Sequence, residues 1–139
     1  MARSKRKGRV SDDDSVVRYV RELCLALPEA SERSSWGHPN FRAGKRTFAT
    51  VEWIKGEPSV AVRLGRAGVN SYAKVKGAFL TPYGRGEWLS LKADSHLNWT
   101  LLEKLILDSY KSVALKRMLE ALDNMEAAPA HYASSGRET

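Results

Sequence analysis

Side chains able to transfer protons or hold a metal are few in this sequence and lie far apart in it. Three histidines, His38, His96 and His131, and one cysteine, Cys24, share no spacing that could close around zinc. The carboxylates of the central segment, Glu32, Glu52, Glu57 and Glu87, are spread out, and nothing brings two together for acid–base work. Gly65-Arg66-Ala67-Gly68 lacks the remaining glycine of a dinucleotide-binding turn and the lysine of a phosphate loop. No Gly-x-Ser-x-Gly elbow is present, and Gly84-Arg85-Gly86 reads as a hairpin turn. Asp12-Asp13-Asp14 fits the start of a helix more simply than a cation site. His38, beside Trp36 at a Gly37-His38-Pro39 turn, is the best single candidate for a reactive group, although a histidine bonded to backbone explains it more simply. An enzyme centred on His38 would require a pocket joining it to a buried carboxylate. The expectation is a chain with no enzymatic activity, no metal and no cofactor.

Basic and aromatic residues, by contrast, interleave. Residues 31–92 carry eleven basic against four acidic side chains, an excess equal to the net +7 of the whole protein. Residues 93–139 carry five basic against seven acidic ones. Clustered positive charge attracts polyanions by neutralising phosphates and releasing counterions; the alternative is a solvated face that keeps the protein soluble. Arg42, Lys45, Arg46, Arg63, Arg66, Lys74, Lys76 and Arg85 are the candidate phosphate contacts. Trp36, His38 and Tyr83, next to turns, are candidates for stacking on bases or hydrogen bonding to them. Phe41, Phe48, Trp53, Phe79 and Trp88 are assigned to packing, because one face of any sheet they build must meet helices.

The elements that would position these groups can be read from periodicity. Ser11 or Asp12 offers a helix N-cap, and Val16, Val20, Leu23 and Leu27 follow at helical spacing until Pro28. From about Ala30 the pattern turns to strands. Glu32 to Trp36 is followed by the Gly37-His38-Pro39 turn, and Phe41-Arg42 and Arg46 onward flank a tight turn at Ala43-Gly44-Lys45. Thr47 to Ile54 alternates Ala49, Val51 and Trp53 with Phe48, Thr50 and Glu52. After the Lys55–Pro58 turn, Val60, Val62 and Leu64 mark a strand with one buried face. A short helix is predicted within Arg66–Lys76, then a hairpin of Phe79–Thr81 with Trp88–Lys92. A last helix opens at Asn98 and bends or restarts near Ser112. Helices at both ends can cover one face of a mainly antiparallel sheet, an α+β architecture.

At 139 residues the chain has room for one domain. Residues 1–10, with Arg3, Lys5, Arg6, Lys7 and Arg9, read as a flexible basic arm, residues 11–123 as the domain, and residues 124–139 as a disordered tail. No segment has the roughly 18 apolar residues of a membrane span, and no apolar stretch follows the basic N-terminus as in a secretory signal. A lone cysteine suits the cytoplasm. A monomer is expected.

Ser35-Trp36-Gly37-His38-Pro39-x-Phe41-Arg42, followed by Gly44-Lys45 and Phe48-Ala49, resembles the opening signature of the MmcQ/YjbR family. Thr81-Pro82-Tyr83 leading to Trp88, and Asp108-Ser109-Tyr110, resemble its later landmarks. The likeness spans about residues 12–122. It implies a frataxin-like (CyaY/YjbR-like) α+β fold and DNA binding through paired β-hairpin wings, and it implies no enzymatic reaction. The chain departs from the family pattern at Arg63, where lysine is expected, and in its unusually basic Gly65–Gly77 segment. The absence of an acidic ridge along the first helix argues against a frataxin-like iron function.

The resulting expectation is a DNA-binding, or less favourably RNA-binding, protein with weak sequence selectivity. Its rivals are a protein-interaction or small-ligand domain, and an enzyme at His38. A contiguous basic face would favour nucleic acid, and a scattered one the interaction domain.

Overall fold

A computed structural model describes residues 15–126 of the chain. The basic arm, the Ser11/Asp12 cap, Asp12–Asp14 and residues 127–139 lie outside the described residues. The elements run α1 (Ser15–Leu25), β1 (Ala30–Ser35), β2 (His38–Ala43), β3 (Arg46–Ile54), β4 (Glu57–Arg63), α2 (Gly65–Tyr72), β5 (Ala78–Leu80), β6 (Trp88–Lys92), α3 (Trp99–Val113) and α4 (Lys116–Glu126). The strands form one antiparallel sheet in the order β1-β2-β3-β4-β6-β5. The fold is α+β, as the sequence predicts. The expected restart of the last helix is real: α3 ends at Val113, and α4 begins after Ala114-Leu115 and continues through Glu126.

Turn chemistry sets the strand boundaries, and it moves two residues from where the sequence puts them. The β1–β2 turn consists of Trp36 (φ 56°) and Gly37 (φ 84°), and the β3–β4 turn of Lys55 (φ 54°) and Gly56 (φ 83°). Two successive left-handed residues make the hairpin turn whose twist matches the strands on either side. His38 and Pro39 are therefore the first residues of β2 and not part of the turn. At the start of α3 the Asn98 side chain accepts a hydrogen bond from the Leu101 amide at 3.0 Å, filling the expected cap.

One face of the sheet packs on helices. Val17, Val20 and Cys24 of α1, Leu102, Leu105, Ile106 and Tyr110 of α3, and Met118 and Leu122 of α4 share a core with Phe41, Val51, Val60, Val62 and Leu91 of the strands. The buried stripe of α1 is thus turned from the expected one, with Val16, Leu23 and Leu27 at its margin. Tyr110 meets the Phe48 ring edge-on at 5.4 Å, and its hydroxyl donates to the Pro28 carbonyl at 2.6 Å. Ion pairs tie α1 to β1 (Arg21–Glu32, 2.7 Å) and α4 to the α1–β1 connection (Arg117–Glu29, 2.8 Å).

A bulge decides which side chains reach the other face. Phe41 pairs with Ala49 and Arg42 with Thr47, leaving Phe48 as an extra residue in β3. Two successive residues, Phe48 and Ala49, consequently both enter the helix-covered core. This corrects the simple alternation, which puts Phe48 with Thr50 and Glu52. Past the bulge, Thr50 and Glu52 share the open face with Ser59 and Ala61 of β4 and Ser90 of β6. All five are buried although no helix covers that face, so β4 is buried on both sides and not on one. The β5–β6 connection folds across there: Thr81 and Ser90 hydroxyls bond at 2.8 Å, and Tyr83 donates to Glu52.

Where the β3–β4 ladder would continue past the Ala49–Val62 pair, a helix side chain intervenes. Ser109 Oγ donates to the Phe48 carbonyl at 2.6 Å and accepts from the Arg63 amide at 2.9 Å. A buried hydroxyl thus satisfies both backbone groups that the bulge would otherwise leave unpaired.

Candidate functional site

The open face carries a cleft of about 510 Å³. Its floor is built from His38 and Asn40 of β2 and Thr47, Thr50 and Glu52 of β3; Trp36, Tyr83 and Trp88 wall it. Three of these residues, Trp36, His38 and Tyr83, are the stacking and hydrogen-bonding candidates of the sequence, which the fold brings together across β3 and β4.

A chain of polar contacts runs along the floor. Thr50 Oγ1 donates to the Pro39 carbonyl at 3.0 Å and lies 3.0 Å from His38 Nδ1. A hydroxyl has one proton, so with it committed to Pro39 the Nδ1 proton of His38 must be the donor to Thr50. His38 Nε2 stands 3.5 Å from Glu52 Oε1. In that tautomer Nε2 attracts the carboxylate only when His38 is the imidazolium. The other oxygen of Glu52 accepts the Tyr83 hydroxyl. Burial of its hydroxyl end, then the hydrogen bond and charge of Glu52, pushes the Tyr83 phenol far above the ordinary tyrosine range. Tyr83 therefore stays protonated and remains a donor. His38 and Glu52 side chains are only 13% and 10% exposed, whereas Trp36 is 92% exposed. A large exposed aromatic in a left-handed conformation is uncommon and costs backbone energy, a pattern found at binding sites.

The predicted basic residues fall into distinct sets. Lys45 and Arg46 at the β2–β3 turn, Arg66 at the start of α2 and Arg85 in the β5–β6 connection lie at one end of the sheet, exposed and without an ion pair among the described residues. Arg66 and Gly86 are close neighbours. Arg42 is at the same end, but its guanidinium donates to the Lys45 carbonyl at 2.7 Å and braces the turn. Arg63 is paired with Glu87 at 2.7 Å. Lys74 and Lys76 lie at the opposite end, where β5 begins. The eight basic candidates do not form one contiguous patch, and a scattered arrangement favours an interaction domain, although four of them gather at one sheet end. The hairpins are members of a single sheet, and the β2–β3 turn lies against α4: a Cβ on Gly44 would come 3.2 Å from Met118.

Net charge nevertheless differs between the layers. Pair register puts Arg33, Arg42, Arg63 and Lys92 on the open face. The carboxylates of that face are Glu52, held by Tyr83 and His38, and Glu57, and Glu87 reaches its Arg63 from the β5–β6 connection. In α1, α3 and α4 the six carboxylates Glu22, Glu103, Asp108, Glu120, Asp123 and Glu126 are matched by six cations, Arg18, Arg21, Lys104, Lys111, Lys116 and Arg117.

Glu52, Asn40, Thr47, Thr50 and Arg33 were not foreseen. The alternation of β3 carries a faint signal for Glu52 and Thr50, two polar residues at i and i+2 in an otherwise apolar strand. Trp88, expected in the core, lines the cleft instead, because it pairs with Arg63 on the open face. Phe79 likewise faces away from the helices and borders a separate hollow with Ile54 and Pro58. Among the described residues no group of three or more His, Cys, Asp or Glu side chains could hold a metal ion, and no helix is long and apolar enough to cross a membrane.

The fold is similar to that of the Deinococcus radiodurans protein DR2400, a DUF419 domain, with a TM-score of 0.62 at 17% identity, covering 77% of this chain and 87% of that one. A Pseudomonas syringae protein is similar at a TM-score of 0.58 and 14% identity, covering 68% of this chain and 95% of that one. No curated protein matches the sequence. The family model of the YjbR proteins matches residues 25–112, from the end of α1 almost to the end of α3, and so takes in every strand and the whole cleft. The chain belongs to the YjbR family.

Proposed function

We propose that this protein binds DNA through the open sheet face and the sheet end beside it. The observation that carries this reading is a group of exposed cations at one sheet end that have no ion pair among the described residues. Cations without carboxylate partners (Lys45, Arg46, Arg66 and Arg85) gather at one end of a face whose register adds Arg33, Arg42 and the Glu87-paired Arg63, whereas cations and carboxylates are equal in number in α1, α3 and α4. Cations held apart from carboxylates give up little when they neutralise phosphates. Backbone contacts of this kind position a nucleic acid without reading its sequence.

The test is anisotropy titration of labelled DNA across a salt series. Reversal of Lys45, Arg46 and Arg66 to glutamate should flatten the log–log salt dependence by roughly 2 to 3 units on duplex DNA with the melting temperature unchanged. Deleting residues 1–10 should weaken binding and leave a measurable remainder. If the deletion abolishes binding while the triple reversal leaves it intact, the arm is the binder and the folded face has another role.

A second reading has its own observation behind it: the cleft joins His38 to the buried Glu52 carboxylate, the condition for general acid–base chemistry centred on His38. It predicts that His38→Ala leaves DNA affinity untouched.

A further inference from the structure

We infer that the cleft between Trp36, Tyr83 and Trp88 seats one unpaired base of single-stranded DNA, edge-on to Glu52, while its phosphates stay at the cationic rim. This rests on the DNA-binding reading and adds to it the strandedness and the place of the base.

Three features select that occupant. The walls are π surfaces, and the outermost, Trp36, is almost wholly exposed and held in a left-handed turn by neighbouring Gly37. A stacked base offers an aromatic face to such walls, but a base inside a duplex has both faces covered. The floor is polar, with Thr50 and Glu52 buried and Asn40 and Thr47 half-buried beside them, suited to hydrogen bonding along the edge of a ring. The charge at the floor is negative. Glu52 accepts from Tyr83 and faces His38, which leaves carboxylate lone pairs over. A carboxylate there repels phosphate and favours amino or ring N–H donors. The cations lie outside the floor: Arg33 pairs with Asn40 across β1 and β2, and Arg85 follows Tyr83 by two residues. Negative floor and positive rim together match a nucleotide with its base inward and its phosphate outward, and reject a free anion.

The experiment compares the full chain with Trp36→Ala and Trp36→Phe on four probes. These are a single-stranded deoxyadenylate of about 12 nucleotides, the same length with all bases removed, the same length of thymidylate, and a duplex. For the wild-type protein, adenylate should bind more tightly than the abasic strand by about 5- to 100-fold, with quenching of tryptophan emission. Trp36→Ala should remove that margin and lower single-strand affinity more than duplex affinity; Trp36→Phe should restore part of it. Glu52→Gln should weaken adenylate and thymidylate alike, because the adenine amino group and the thymine N3–H are both donors to the carboxylate, and leave the abasic strand unchanged. If the wild-type protein binds none of the probes, the DNA-binding reading falls and this inference with it. If it binds all of them but treats adenylate and abasic strands alike, or if Trp36→Ala lowers duplex and single-strand affinity equally, the base site is wrong and the DNA-binding reading stands.

Discussion

Replacing Ser109 by alanine tests whether a helix side chain completes the sheet beside the cleft. The hydroxyl lies 2.6 Å from the Phe48 carbonyl oxygen and 2.9 Å from the Arg63 amide nitrogen. At the tetrahedral angle of a hydroxyl, those distances hold the two backbone atoms roughly 4.5 Å apart, against about 2.9 Å for a direct bond. Alanine leaves both groups buried without a partner, at about 1–3 kcal/mol each. The variant no longer desolvates a hydroxyl, so the expected loss is about 2–4 kcal/mol. With a urea dependence of about 1.5–2 kcal/mol per molar for a domain of this size, the unfolding midpoint should fall by roughly 1–2.5 M. Amide hydrogen exchange gives the local readout: the Arg63 amide should lose more protection than its neighbour Val62. A midpoint shift under about 0.3 M, with Arg63 still protected, would mean that the strands close by about 1.5 Å into a direct bond, and the bridging role would be refuted.

The Tyr83 phenol is raised in the folded protein, so above about pH 10 an unfolded chain has released a proton that the folded one still holds. Stability should therefore fall as pH rises through that range and be unaffected below it. Tyr83→Phe should remove part of this alkaline loss, so urea midpoints of the two proteins should converge between about pH 9 and pH 11; parallel curves would count against the raised phenol. Gly84 has φ +87°, and a Cβ there would stand 2.4 Å from Trp88 Cδ1. Gly84→Ala should cost about 2 kcal/mol or more and shift tryptophan emission to the red as the β5–β6 connection lifts; unchanged emission would show that the connection does not need to stay closed over Trp88. Burial pushes the Cys24 thiol well above its usual range. Alkylation of the native protein should therefore proceed only as fast as unfolding allows, and modification at the rate of a free thiol would place Cys24 outside the core.

Local chemistry made the elements legible and left most of the site hidden. Gly37, Gly56 and the Asn98 cap announce their turns and helix start because the conformations they support are restricted. The His38–Glu52 contact has no such marker. It arises from the pairing of β2 with β3, which sets residues fourteen positions apart side by side. The bulge at Phe48 contains no glycine or proline, so strict alternation is the natural reading until the Ser109 bridge is seen. Trp88 was assigned to the core because aromatic content marks burial without naming a face. The basic cluster was legible as a run along the chain, but the turn at the end of β4 and the passage of α2 carry Lys74 and Lys76 away from Arg66.

Strand β1 ends the sheet with Ala-Ser-Glu-Arg-Ser-Ser. Its outer backbone groups have no strand beyond them, yet a further strand docking there would find almost no apolar surface to cover. Glu32 is already held by Arg21 beneath it, and Arg33 presents a charge on the other side. Two copies meeting antiparallel about Arg33 would bring like charges face to face. Such an edge discourages growth into ribbons, so copies of the protein can crowd side by side without their sheets fusing.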